Sequence, residues 1–172
     1  MEDEKKLKRY KWIFYITVLF AVAILENTVL SKINILGGKP QLLIFAVSVI
    51  AMLEGVNGGA SAGLAAGLFM DAMCAPVEGF YTVAYVVCGI VVSIINEFTY
   101  HKTYPVSLLF WLSAVLVSDT LYYVFHMLIM GEGSPLLVLK ILPGELLATV
   151  VFTPVMYFII CLVYRRFAFG DE

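Results

Sequence analysis

Long apolar runs separated by brief polar stretches dominate the chain: Trp12–Leu30, Pro40–Leu53, Gly58–Met73, Gly79–Ile95, Val106–Met130 and Leu142–Tyr164. A hydrocarbon core about 30 Å thick takes about 20 helical residues at about 1.5 Å each. Each run therefore reads as a helix able to cross a membrane. The stretch 40–73 admits two readings, one long helix or two short ones. As a single helix it would run about 51 Å, beyond what ordinary tilt accommodates. The sequence EGVNGG at its middle combines a charge, an amide and three glycines, which is turn chemistry. Two short spans joined by a tight turn are expected, giving an all-α, six-helix integral membrane bundle.

Composition strengthens that expectation. Hydrophobic residues make up 62% of the 172 and charged residues only 14%, against roughly 25% charged in a soluble domain. With so little charge to cover a water-facing surface, lipid becomes the main solvent. The net charge of −2 matters less than where the charges lie. Lys5, Lys6, Lys8, Arg9 and Lys11 crowd the first eleven residues, and Arg165 and Arg166 follow the last apolar run. In the six-span arrangement, eight of the 11 Lys and Arg residues fall on one side of the membrane, which the positive-inside rule makes cytoplasmic. The expected organisation is a basic cytoplasmic start (1–11), one membrane domain (12–164) and a cytoplasmic tail (165–172). A basic start before an apolar run resembles a secretory signal, but this run is too long and no small-residue cleavage site follows it, so it reads as an uncleaved first span.

Little else in the sequence carries chemistry. The three cysteines, Cys74, Cys88 and Cys161, show no paired or metal-binding spacing. P-loop, dinucleotide-binding, HExxH and GxSxG patterns are absent, as is a basic stripe interleaved with aromatics for nucleic acid. Tyr100, Tyr104 and Tyr164 stand at span ends, where an amphipathic ring suits the headgroup zone. No enzymatic activity, cofactor or metal is expected.

Within GVNGGASAGLAAGLFMD (55–71), Gly55, Gly59, Gly63 and Gly67 recur every fourth residue and the next step lands on Asp71. Helices in lipid associate through close backbone approach rather than hydrophobic gain. Gly59, Gly63 and Gly67 then form a groove, with Gly58, Ala62 and Ala66 as a second small-residue row beside it, while Gly55 belongs to the turn. The groove receives either another helix of this chain or a partner helix.

Ionisable residues within spans are costly and mark candidate functional sites. Counting rise per residue puts Glu26 about 21 Å, Asp71 about 20 Å and Asp119 about 20 Å along outward-running spans, with Glu145 at the start of the inward-running sixth. Glu145 follows Pro143 in what reads as a first helical turn, where negative charge suits the helix dipole. These four acids are candidates for a polar pocket in the outer half of the membrane, the alternative being helix caps and headgroup contacts. His126, seven residues after Asp119 on the same face, is a further candidate, or else an interface residue. Glu54 stands apart at the inner turn as an interfacial acid, and Pro154 is expected to bend the sixth span or locally break its hydrogen-bond ladder.

The run KPQLLIFAVSVIAMLEGVNGGASAGLAAGLFMDAMCAPVEGFYTVAYVVCGIVVS resembles the rod shape-determining protein MreD family. Pro40 opening the second span, Gly55 near its end, the Gly59/Gly63/Gly67 series, Asp71, Gly79 and the aromatic start of the next span carry the resemblance. Length, six spans and internal termini extend it over nearly the whole chain. The resemblance implies a non-enzymatic organiser of lateral peptidoglycan synthesis in the bacterial cytoplasmic membrane. It implies work through the single-span protein MreC, in a wider complex with MreB, RodA and a penicillin-binding transpeptidase. That family's fold is similar to the substrate-capturing subunits of energy-coupling-factor vitamin transporters, which implies a rival role as a small-molecule binder. Against the rival, TVLFAVAILENTVL in the first span lacks the AxxxA pattern by which those subunits dock their partner.

Overall fold

A computed structural model describes residues 2–32, 39–74, 79–97, 103–130 and 135–168, with the side chains of 2–5, 7, 8, 74, 126–142, 167 and 168 outside that description. Every element among them is helical: α1 (Glu2–Thr28), a 3-10 turn (Leu30–Lys32), α2 (Leu42–Cys74), α3 (Phe80–Glu97), α4 (Tyr104–Met130), α5 (Pro135–Val150) and α6 (Thr153–Ala168). Among the described residues, four helices are long and apolar enough to cross a membrane, and the bent pair 143–150 and 153–166 makes a fifth if it counts as one span. The chain is thus a multi-pass membrane protein by the length and composition of its helices.

Side-chain exposure fits lipid as the solvent. On α1, Tyr15, Leu19, Val22, Ala23 and Glu26 are buried, while Ile13, Phe14, Ile16, Phe20 and Ile24 face outward. Both faces are apolar, an arrangement that water would penalise and hydrocarbon does not.

Element α2 is not one straight rod. Gly55 interrupts it with φ 75° and ψ −166°, a region that essentially only glycine enters. Unbroken, the helix would separate residues 43 and 70 by about 40 Å. Yet Glu26 Oε2 accepts the Leu43 N–H at 2.8 Å, and the next residue, Asn27, donates to Met70 Sδ at 3.3 Å. The chain therefore folds back at Gly55, and its two arms run antiparallel, as the turn chemistry of EGVNGG leads one to expect. Folding back strips the last carbonyls of the first arm of their helical partners. Two side chains of α3 approach them: Asn96 Nδ2 donates to the Met52 carbonyl at 3.0 Å, and Ser93 Oγ, which donates to the Gly89 carbonyl at 2.8 Å, lies 3.3 Å from the Ala51 carbonyl.

The first arm is buried on all sides from Leu42 to Leu53, as befits a helix apolar all round. Phe45 stacks edge-on with Trp111 of α4 at 6.2 Å, and Cys88 of α3 donates to the Ala114 carbonyl of α4 at 3.2 Å. At the hairpin tip, Lys11 Nζ pairs with Glu54 Oε1 at 2.6 Å, and the Tyr15 hydroxyl donates to the same oxygen at 3.0 Å. Lys11 also lies over the Tyr164 ring, 4.9 Å from its centre. The start of α1, the hairpin tip and the end of α6 thus meet at one end of the bundle. Glu54 is the centre of that junction rather than an isolated interfacial acid.

One expectation about the last span changes. The helix containing Glu145 begins at Pro135, so Glu145 lies in the interior of α5, not in a first turn, and the helix-dipole argument for it falls away. The bend lies at residues 151–152, where the two helices turn by 55°. Pro154 is the second residue of α6, where its missing N–H costs nothing, so the break expected in the ladder at Pro154 falls just before it and the proline opens the second helix.

Candidate ligand-binding cavity

The opposite end of the bundle from Lys11 and Glu54 holds a cavity of about 590 Å³. Glu26 and Asn27 from α1, Gln41, Met70 from α2, Phe80, Tyr81 and Tyr85 from α3, Asp119 and Tyr122 from α4, and Glu145 from α5 line it. Its volume lies in the range of small-molecule pockets, roughly 300–1,000 Å³.

Local structure explains how each polar group arrives. Glu26 continues the buried stripe of α1 and is only 7% exposed. Its carboxylate accepts the N–H of Leu43, one of the first-turn donors that a helix start leaves without a helical partner. Gln41, the residue after Pro40, precedes the first turn of α2. Its backbone N–H donates to Thr149 Oγ1 at 2.9 Å and its Nε2 donates to Glu145 Oε2 at 2.8 Å. Thr149 in turn donates to the Glu145 carbonyl at 2.7 Å, one turn back along α5. Asp119 also faces the Gln41 side chain. Gln41 is thereby the hub that ties α5 to α2 and joins two carboxylates across the cavity. Sequence reasoning missed it; the only available signal was a polar residue at the mouth of an apolar run directly after a proline.

Asp71 is turned elsewhere. Gly79, with φ 83°, accepts the first helical bond of α3 from Val83 N–H at 3.2 Å and so occupies the N-cap position. A glycine there offers no side-chain acceptor for the orphan donors of the first turn. Asp71, reaching across from α2, supplies it: Oδ1 takes the Tyr81 N–H at 3.0 Å and Oδ2 takes the Thr82 N–H at 2.9 Å and the Thr82 hydroxyl at 2.5 Å. The carboxylate acts as an N-cap supplied by a neighbouring helix.

The glycine series sets up that reach. A Cβ at Gly59 would lie 2.6 Å from the Gly89 carbonyl, and one at Gly63 or Gly67 would collide with the backbone of Tyr85 or Thr82. Gly58, Ala62 and Ala66 are buried as well. The groove is therefore filled by this chain's own α3, whose Gly89 is the reciprocal gap. Four-residue spacing then carries the seam one further turn to Asp71, at the N-terminus of the helix it packs against.

Of the five candidate pocket residues, Glu26, Asp119 and Glu145 line one cavity, Asp71 caps α3, and the His126 side chain lies outside the described residues, as does Tyr100. Among the described residues, no group of three His, Cys, Asp or Glu side chains is placed to hold a metal ion. What the lining offers is three carboxylates, amide and hydroxyl groups, and aromatic rings. Comparison with protein-family models, curated proteins and solved structures finds no match to the chain.

Proposed function

We propose that this protein is a non-enzymatic membrane scaffold of the bacterial cell-elongation machinery. In this reading it has six crossings, counting the α2 hairpin as two and α5–α6 as one, with both ends cytoplasmic. It links lateral peptidoglycan synthesis to cell shape through a single-span MreC-like partner, alongside MreB, RodA and a penicillin-binding transpeptidase. The observation that carries the proposal is how the residues behind the MreD resemblance are used. Gly55 turns the hairpin, Gly59, Gly63 and Gly67 admit α3, Gly79 starts α3 and Asp71 caps it. All of them build architecture and none presents a reactive group, which suits a protein that works by holding others in place. Depletion from the bacterial host is expected to turn rods into spheres, and MreC is expected to co-purify in mild detergent. Normal rods after complete loss would sink the proposal.

The cavity favours a second reading, a small-molecule binding subunit of an energy-coupling-factor transporter. In that case an ATPase pair co-purifies with the protein instead of MreC, and native mass spectrometry of the purified protein finds a retained small molecule.

A further inference from the structure

We infer that the cavity binds a small organic cation, an amine or guanidine, held by Glu26, Asp119, Glu145 and Gln41. The inference rests on the ligand-binding reading and gives it a ligand class; the scaffold reading stands or falls separately.

Three observations converge. First, the described lining residues carry three carboxylates against one cation, Lys39, which is exposed at the rim. Carboxylates at membrane depth are tolerated when paired with opposite charge or fully hydrogen-bonded. Glu26 meets part of that need with the Leu43 N–H, and Glu145 with the Gln41 amide. Second, Glu145 Oε2 takes the Gln41 amide at 2.8 Å and Asp119 faces the same side chain, so one neutral amide serves two acids. An ammonium or guanidinium adds the positive charge that this amide does not bring. Third, Phe80, Tyr81, Tyr85 and Tyr122 form an aromatic wall on the α3–α4 side. Ring faces attract a cation, increasingly so away from water. Glu26 is the most buried of the three acids, so the charged end of the ligand lies toward it and the body against the rings.

The test uses the full chain in mild detergent and a set of five-carbon probes that differ only at their ends. Cadaverine presents amines, pentanediol hydroxyls and glutarate carboxylates; agmatine adds a guanidinium. Isothermal titration is expected to detect cadaverine or agmatine and neither pentanediol nor glutarate. Glu26→Gln and Glu145→Gln keep an acceptor at each position while removing charge, and each is expected to weaken the cation at least tenfold, about one charge-assisted hydrogen bond. Wild-type protein that binds none of the four overturns the inference; the ligand-binding reading falls separately, if native mass spectrometry of the purified protein finds no retained small molecule. Equal or tighter binding of the diol or the dicarboxylate overturns the cation class and keeps the reading of a ligand pocket. Cation binding unchanged in both variants overturns the assignment of the site. The wild-type comparison decides the class even where a variant does not fold.

Discussion

The α2–α3 pair and the α5–α6 pair solve the same problem in opposite ways. Between α2 and α3, glycines bring backbone against backbone at Gly59–Gly89, Gly63–Tyr85 and Gly67–Thr82, and the ends are closed by Asp71 on one side and by Ser93 and Asn96 on the other. The α5–α6 pair is bent by 55° and fastened by side chains: Gln41 to Glu145 and Thr149, and the Tyr104 hydroxyl with Thr153 at 2.9 Å. Lipid tails are as apolar as the helices, so burial alone cannot distinguish a neighbour from solvent. Close approach over a long seam fixes one geometry. A few polar tethers across a cavity hold an element in place while leaving room beside it.

The sharpest way to break this contrast is at the seam. Gly63→Leu drives a side chain into the Tyr85 carbonyl and is expected to cost more than about 3 kcal/mol or prevent folding. Leu64→Ile, on the exposed side, is expected to be nearly neutral. Detergent-unfolding midpoints of the two variants check the difference, and equal midpoints would show that the seam is not close-packed. At the cap, Asp71→Ala strands the Tyr81 and Thr82 donors and is expected to lose about 2 kcal/mol, with Asp71→Asn falling between it and wild type because one acceptor remains. A ranking in which Asn is worse than Ala contradicts the capping role. The smallest effect belongs to the tether: Thr149→Val removes the acceptor for the Gln41 N–H and is expected to cost about 1 kcal/mol. Cysteine-labelling rates on α5 should rise while those on α3 stay unchanged; a uniform rise across both helices removes the distinction between the two regions.

Much of the rigid half can be read from residue order alone. Four-residue glycine spacing announces a groove, and the cluster at 54–59 announces a reversal, because both are local patterns with one backbone explanation. The use of Asp71 could not be read in this way. Its partners are N–H groups ten and eleven residues away on another helix, and depth along a span cannot tell a cap from a pocket wall. Rise per residue does bring Glu26, Asp119 and Glu145 to a common level, and the structure gathers those three. The start of α5 at Pro135 lies before the apolar run that opens at Leu142, and that run continues through the break at 151–152, for which Pro154 was the signal; hydropathy alone does not register a change of helix axis. Gln41 escaped notice because its importance comes from α5, more than a hundred residues later.

The seam and the cavity also differ in when they can come into being. Gly59 and Gly89 belong to consecutive helices, so their contact is local in the chain and closes quickly once residue 97 has been made. The cavity needs Glu26 and Glu145 together, and so waits until α5 has been made. During synthesis the helices up to α3 can settle into a finished platform, and the cavity is closed later, when α5 docks beside it.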